Sequence, residues 1–273
     1  MKQAHADVHG QGDRSAPEPT RHMRLFLLTL LLTLCAGLLA YARYSRHDGS
    51  TASGSQVLEF TDLGAEYVGY LCDPSTHTIS LETNHPATTR PLSLADAPEL
   101  ERDFVFATNG GIFAHPNAPV GLTVRRGEVL EEINLSSGDG NFFLEPNGVF
   151  LIDRRNRAHV IESHAFEGAE TEWTLATQSG PLLVDHGRLH PAFNEGSPNR
   201  RIRSGVGMRD DGAIVLLVSR DPVTFWEFAT LFRDGMGCPN ALYLDGTISG
   251  FALPQTPPSS PSAYASLLIV SPI

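Results

Sequence analysis

The stretch SGVGMRDDGAIVLLVSRDPVTFWEFATLFRDG, residues 204–235, holds both kinds of element from which the rest of the chain can be read. Asp211-Gly212 sets a turn former beside glycine between two apolar runs, the pattern of a tight hairpin. Ala213–Val218 predicts a strand of that hairpin, although so continuous an apolar run carries no periodicity that separates strand from buried helix. Next, Asp221 is placed to cap a helix and Pro222 suits its first turn. Val223, Phe225, Trp226, Phe228, Ala229, Leu231 and Phe232 then build a broad apolar face before Gly235 and Gly237 end the helix. Such a face has to be buried against a sheet.

Outward from this stretch, Arg126-Gly127, Asn147-Gly148 and His186-Gly187 repeat the hairpin signal, and Val120–Val124, Phe150–Asp153 and Pro181–Val184 read as strands. A shorter helix is predicted around Ala95–Arg102. Pro254–Pro261 (PQTPPSSP) cannot join the centre of a sheet, because proline has no N–H to donate. No internal repeat is present. Short strands and tight turns with helix in the minority predict an α+β protein, with a single globular domain over residues 56–273.

Residues 25–42 (LFLLTLLLTLCAGLLAYA) are uncharged and follow Arg21 and Arg24, the layout of a basic region leading into an export or anchor segment. As a helix they would rise about 27 Å, close to the thickness of a bilayer core. Ala40-Tyr41-Ala42 has the small-x-small form of a cleavage site, so residues 21–42 read as a signal-anchor or a signal peptide. Residues 1–20 are polar and aperiodic, which predicts a disordered tail, and residues 43–55 read as a flexible tether. The expected location is the inner membrane, held through residues 25–42 with the domain facing the periplasm or exterior, or secretion after cleavage. The 41% hydrophobic content of the 273 residues is enough to build a core. A formal net charge of -11 argues against a nucleic-acid partner. Beyond the apolar segment stand Cys72 and Cys238, a pair that in an exported domain is either a disulfide or two buried thiols. There is no C-x-x-C pair, and neither metal nor cofactor is expected.

Four polar, glycine-containing segments follow or interrupt apolar runs: Thr108-Asn109-Gly110-Gly111, Gly138-Asp139-Gly140-Asn141, Thr177-Gln178-Ser179-Gly180-Pro181 and Asp245-Gly246-Thr247-Ile248-Ser249. Glycine at a strand end lets backbone N–H groups approach a ligand closely, so a cluster of such loops can cradle a sugar or a phosphate without a metal; each taken singly is also an ordinary turn. Arg203 precedes a predicted strand, where a guanidinium can grip two phosphate oxygens or simply be solvated. Asp245 closes the apolar run Ala241-Leu242-Tyr243-Leu244, a placement that suits a base, a nucleophile, a hydroxyl acceptor or an Asx-turn. His115, beside the first segment, is the histidine best placed to border a pocket. Ser179 lacks the G-x-S-x-G setting of a serine hydrolase nucleophile.

Read in order, ATNGGIF (107–113), PVGLTV (119–124), GNFF (140–143), ATQSGPLLV (176–184), RSGVG (203–207) and GCPNALYLDGTIS (237–249) resemble the ordered motifs of the phosphodiester glycosidase family. The resemblance spans residues 57–253. It implies mixed β-sheets with flanking helices and an exported hydrolase that cleaves the glycosidic bond of a sugar-1-phosphodiester in an envelope or extracellular glycan. Carried over position by position, the implied catalytic residues are Asp245, Arg203 and Asn109. The implied substrate-binding residues are Gly110, Gly111, Gln178, Ser179, Gly180, Gly246 and Ser249. Many members carry a second glycine where this chain has Thr247, and a Cβ there narrows backbone approach. The alternative is a glycan or phosphoglycan-binding envelope protein that keeps the pocket without turnover. A phosphate monoester is a weakly basic leaving group, so one carboxylate is enough in principle, with Asp139 the next acid to consider.

Overall fold

The computed structural model describes residues 54–83, 90–114, 118–166, 173–246 and 248–273. The predicted tail, anchor and most of the tether, together with His115 and Thr247, lie outside the described residues. Among the described residues no helix is long and apolar enough to cross a membrane.

The chain opens with β1 (Gln56–Asp62), β2 (Ala65–Cys72) and β3 (His77–Thr83). A short helix, α1 (Ala97–Leu100), leads to β4 (Phe106–Asn109), β5 (Phe113–Ala114), β6 (Ala118–Pro119), β7 (Thr123–Arg125) and β8 (Glu128–Glu131). The middle supplies β9 (Gly148–Asp153), β10 (Ala158–Glu162), β11 (Trp173–Ser179), β12 (Leu182–Asp185) and β13 (Arg188–Leu189). The last part holds β14 (Ser204–Met208), β15 (Ile214–Ser219), α2 (Phe225–Thr230), β16 (Asn240–Asp245), β17 (Phe251–Ala252) and β18 (Ser266–Pro272). The largest sheet runs β1-β2-β15-β14-β16-β12-β13, a second β10-β9-β11-β7-β8, a third β17-β4-β18-β3, with β5-β6 a separate pair. The main apolar core draws on all three larger sheets, through Val68 and Leu216, Phe150 and Leu175, and Phe106 and Leu268.

Every described strand pair is antiparallel, which corrects the expectation of mixed sheets. Parallel neighbours need long crossovers, usually helical, and the two short α-helices described here do not provide them. The fold is mostly β-sheet with two short helices. Three predicted hairpins form, at Arg126-Gly127, His186-Gly187 and Asp211-Gly212. In the first two, both turn residues take positive φ, as the right-handed twist of the strands demands. Asn147-Gly148 is not a hairpin: Gly148 is the first residue of β9 and pairs with both Glu162 and Ser179. The Asn147 side chain instead donates to the Phe142 carbonyl at 2.9 Å. Of Val120–Val124, only the end enters a strand, β7.

The main helix starts later than predicted. Thr224 is its cap, in a reciprocal capping box with Glu227, while the Asp221 carboxylate accepts from the Glu66 N–H at 2.9 Å. Arg201 and Val223 exchange backbone hydrogen bonds, which holds residues before Thr224 extended. The helical segment ends in a wider turn at Leu231–Gly235, so Gly235 does mark its stop. Its apolar face lands on β14 because β14 is built for it: a Cβ on Gly205 or Gly207 would fall 2.9 or 2.7 Å from the Phe232 ring. Val206, between them, enters the core on the opposite face. The shorter predicted helix appears as a 3-10 turn, Leu94–Asp96, capped by Ser93 and continued by α1. Cys72 and Cys238 are free, buried thiols, so the disulfide alternative is not realised, and burial pushes both up to about 12.

Candidate active site

Strand ends from the three larger sheets meet at one place. The site lies where β4 and β17 of the four-stranded sheet, β11 of the five-stranded sheet, and β14 and β16 of the seven-stranded sheet converge. Asn109, at the end of β4, donates from Nδ2 to Ser204 Oγ at 2.8 Å and to the Gly110 carbonyl at 3.0 Å. Its Oδ1 accepts from the Gly250 N–H at 3.2 Å and from Thr108 Oγ1 at 3.3 Å. Ser204, at the start of β14, also meets the Asp245 N–H at 3.2 Å and Ser249 Oγ at 3.1 Å. Ser249 Oγ donates to the Asp245 carbonyl at 2.7 Å. On the other side, Ser179 Oγ donates to the Leu244 carbonyl at 3.0 Å and accepts from the Ile112 N–H at 3.2 Å.

The glycines are fixed by close approach. A Cβ on Gly110 would fall 2.1 Å from Ser266 Oγ, one on Gly111 2.7 Å from the Gln178 carbonyl, and one on Gly180 2.5 Å from the Phe142 carbonyl. These three positions are thus required by packing between loops, whatever they do for a ligand. Gln178 is buried and its amide is used in full. Oε1 accepts from the Leu122 and Asn134 N–H groups at 3.0 and 2.9 Å, while Nε2 donates to the Asn134 carbonyl at 2.7 Å and Ser163 Oγ at 3.1 Å. It pins the loops and has no donor or acceptor left to offer.

Arg203 is 1% exposed, unlike the exposed Arg200 and Arg201 beside it. Its Nε donates to the Val223 carbonyl at 2.9 Å and its Nη2 to the Asn199 carbonyl at 3.2 Å. The guanidinium carbon sits 3.6 Å from the centre of the Phe225 ring and 5.5 Å from that of Tyr243. Phe225 is stacked in turn on Phe193, and Phe193 on His190. This arrangement does not present the guanidinium to solvent as a direct clamp; it places a buried positive charge behind Tyr243.

Asp245 is the acid of the cluster. Its carboxylate is partly exposed at the end of β16, and loss of solvation raises its pKa to about 6, against the opposing effect of the Gly246 N–H that donates to Oδ1. The main chain on either side of it is tied down, by Ser204 and Ser249 at its own N–H and carbonyl and by Ser179 at Leu244. Asp139 lies in an exposed loop and makes no described contact with this cluster.

Comparison with known proteins bears on this cluster directly. The model of the phosphodiester glycosidase family matches residues 102–252, more than half of the chain and every residue of the cluster. The chain belongs to the phosphodiester glycosidase family. A relative in Escherichia coli (strain K12), the uncharacterized protein YigE, is 37% identical over 143 residues, 52% of this chain and 56% of that one. The chain thus spans a little over half the length of that curated relative. Among solved structures, the catalytic domain of zebrafish N-acetylglucosamine-1-phosphodiester α-N-acetylglucosaminidase, auto-inhibited by its pro-peptide, is similar with a TM-score of 0.58 at 17% identity, covering 82% of this chain and 85% of that one. A hypothetical protein from Synechocystis gives 0.54 at 14% identity, covering 80% and 62%. A putative exported protein from Burkholderia pseudomallei K96243 gives 0.51 at 12%, covering 77% and 75%. At these identities the likeness is one of fold.

Within this phosphodiester glycosidase domain, Thr108, Ser204 and Tyr243 also belong to the cluster. Thr108 Oγ1 donates to the Gly250 carbonyl at 2.8 Å, and Tyr243 packs under Gly246. The signal that could have found Ser204 is its place between Arg203 and a glycine at a strand start. Nothing local marks Tyr243, which lies inside an apolar run.

Proposed function

We propose that the chain is a glycosidase that hydrolyses the bond between the anomeric carbon of a sugar and a phosphodiester oxygen, with Asp245 as its catalytic carboxylate. The observation that carries this reading is Asp245 itself: a partly exposed carboxylate with a pKa of about 6, held on a frame whose other side-chain groups are engaged with one another. A base with that pKa is ionised at neutral pH and still takes a proton from an attacking water. The departing phosphate monoester is stable as an anion, so it leaves without strong protonation. Arg203 supplies positive potential from below, and the glycines at 110, 111 and 180 let the loops around the carboxylate pack closely together. Family membership and the zebrafish enzyme's fold support the substrate class. The basic-then-apolar pattern of residues 21–42 supports export with an envelope or extracellular glycan as substrate.

The experiment is release of free sugar and phosphate monoester from a panel of sugar-1-phosphodiesters by the purified full chain, with Asp245→Asn alongside. Turnover in the parent that falls at least about 100-fold in the variant is the expected result. A parent that binds phosphoglycans without releasing sugar from any of them would replace the hydrolase by a binding protein.

A further inference from the structure

Tyr243 is 1% exposed, and its hydroxyl completes no well-formed hydrogen bond among the described residues, although Arg203 and Asn141 lie near enough to interact with it. Its surroundings are polar all the same. Arg203 and the exposed Asn141 side chain both face it, and the charge of Asp245 is felt there. Leu242 and Leu244 turn into the core, which puts Tyr243 on the opposite face of β16, the face that Asp245 continues. The hydroxyls around it are used differently: those of Thr108, Ser179 and Ser249 each donate to a main-chain carbonyl. An unpaired hydroxyl in so packed a place costs stability unless a ligand or water completes it.

Two further observations point to a ligand that is an anion. First, a Cβ at Gly246 would lie 2.3 Å from the Tyr243 hydroxyl oxygen, so the hydroxyl reaches the main chain of the Asp245-Gly246 turn only because residue 246 has no side chain. Second, Arg203 forms no ion pair among the described residues; its neighbours are two carbonyls, two aromatic rings and the Tyr243 hydroxyl itself. A buried cation without a counter-charge is costly alone and favours an anion close by.

We propose that the Tyr243 hydroxyl, with Arg203 behind it, is a phosphate-binding donor that gives its hydrogen bond to a non-bridging oxygen of the substrate's phosphate at the Asp245-Gly246 turn. This rests on the phosphodiester reading and names the group that holds the leaving phosphate. The hydroxyl is sealed beneath Gly246, so the contact forms as that turn shifts on binding. No bond is made or broken: the phenol stays neutral and acts by orientation, while the guanidinium strengthens it as a donor.

The test uses the full chain and inorganic phosphate, with affinity read by calorimetric titration and melting temperature recorded in parallel. Tyr243→Phe removes the hydroxyl alone, so the fold and melting temperature are expected to stay at least at the parent's level while phosphate binding weakens about tenfold or more. Asn141→Asp, at an exposed position facing the same hydroxyl, sets a negative charge there and is expected to weaken phosphate at least as much. Unchanged affinity in a folded Tyr243→Phe protein, or no binding of phosphate by the parent, would overturn the proposal. Turnover of phosphodiesters by a parent whose Tyr243→Phe variant binds phosphate equally well would remove Tyr243 and leave the hydrolase. Tyrosine-dependent phosphate binding without turnover would do the reverse.

Discussion

Asp245 ties stability to pH through one proton. Its carboxyl holds a proton more tightly in the fold, with a pKa of about 6, than in an unfolded chain, at about 3.9. The folded state is therefore favoured below pH 4, and its stability falls as pH rises through about 6, by roughly 3 kcal/mol in all. Asp245→Asn should accordingly melt several degrees above the parent at pH 8 and match it near pH 3, as thermal unfolding at both pH values will report. If the ionised form is the base, kcat/KM of the parent rises with pH and levels off above about 6; a flat profile between pH 4 and 8 would exclude that role. The neighbouring glycine gives a second prediction. Gly246→Ala forces a Cβ to 2.3 Å from the Tyr243 hydroxyl, a clash worth about 1–3 kcal/mol, whereas the next ring atom is 3.6 Å away. Tyr243→Phe should then restore most of the stability lost in Gly246→Ala, measured as a double-mutant cycle in urea. Asn109, Ser179, Asp245 and Ser249 were legible because each sits in a polar, glycine-bearing break after apolar residues. Of the two readings of Arg203, a phosphate grip or a solvated arginine, burial excludes the second, and that burial is decided by Phe225 and Tyr243, 22 and 40 positions away.

The elements were legible where local chemistry decides them and not where a partner does. Turns at Arg126-Gly127, His186-Gly187 and Asp211-Gly212 need positive φ at one or both positions, and sequence shows that demand directly. Asn147-Gly148 makes the same local offer, yet Gly148 is drawn into β9 between two strands, where a Cβ would fall 2.7 Å from the Ile161 carbonyl. The start of α2 is a similar contest. Asp221 and Thr224 both suit a cap, and the bridge between Arg201 and Val223 decides it by keeping the intervening residues extended. Thr224→Ala removes the box and should cost about 1 kcal/mol in chemical unfolding. Because α2 supplies Phe225, on which Arg203 lies, the same variant should also lower the proposed phosphodiester turnover more than a surface change of equal cost. Gly207→Ala tests the other side of the helix: with Phe232 at 2.7 Å and the Cys238 sulfur at 2.9 Å, overpacking of about 1–3 kcal/mol is expected.

At the scale of the molecule, an acidic composition and a list of strands do not say which sheet each strand joins. Sheet order depends on pairings such as β2 with β15 and β3 with β18, whose partners are more than a hundred residues apart. What joins one sheet to another is equally remote in sequence. Glu82, 2% exposed at the end of β3, takes Arg125 through Nε at 2.9 Å and Nη2 at 2.5 Å, and Arg126 through Nη2 at 2.8 Å. One carboxylate of the four-stranded sheet thereby holds two cations of the β7-β8 hairpin in the five-stranded sheet, whose β11 brings Ser179 to the site. Glu82→Gln keeps the volume and leaves both guanidiniums without a counter-charge. The Arg125 side chain is 25% exposed and that of Arg126 66%, so part of their charge returns to water. The expected cost is thus about 2–3 kcal/mol, below that of breaking a fully buried pair. Urea unfolding should show a lower midpoint at an unchanged slope, because the surface exposed on unfolding is the same. A loss under about 1 kcal/mol would mean that apolar packing between the sheets, with no help from this carboxylate, sets the position of β11 and hence of the site.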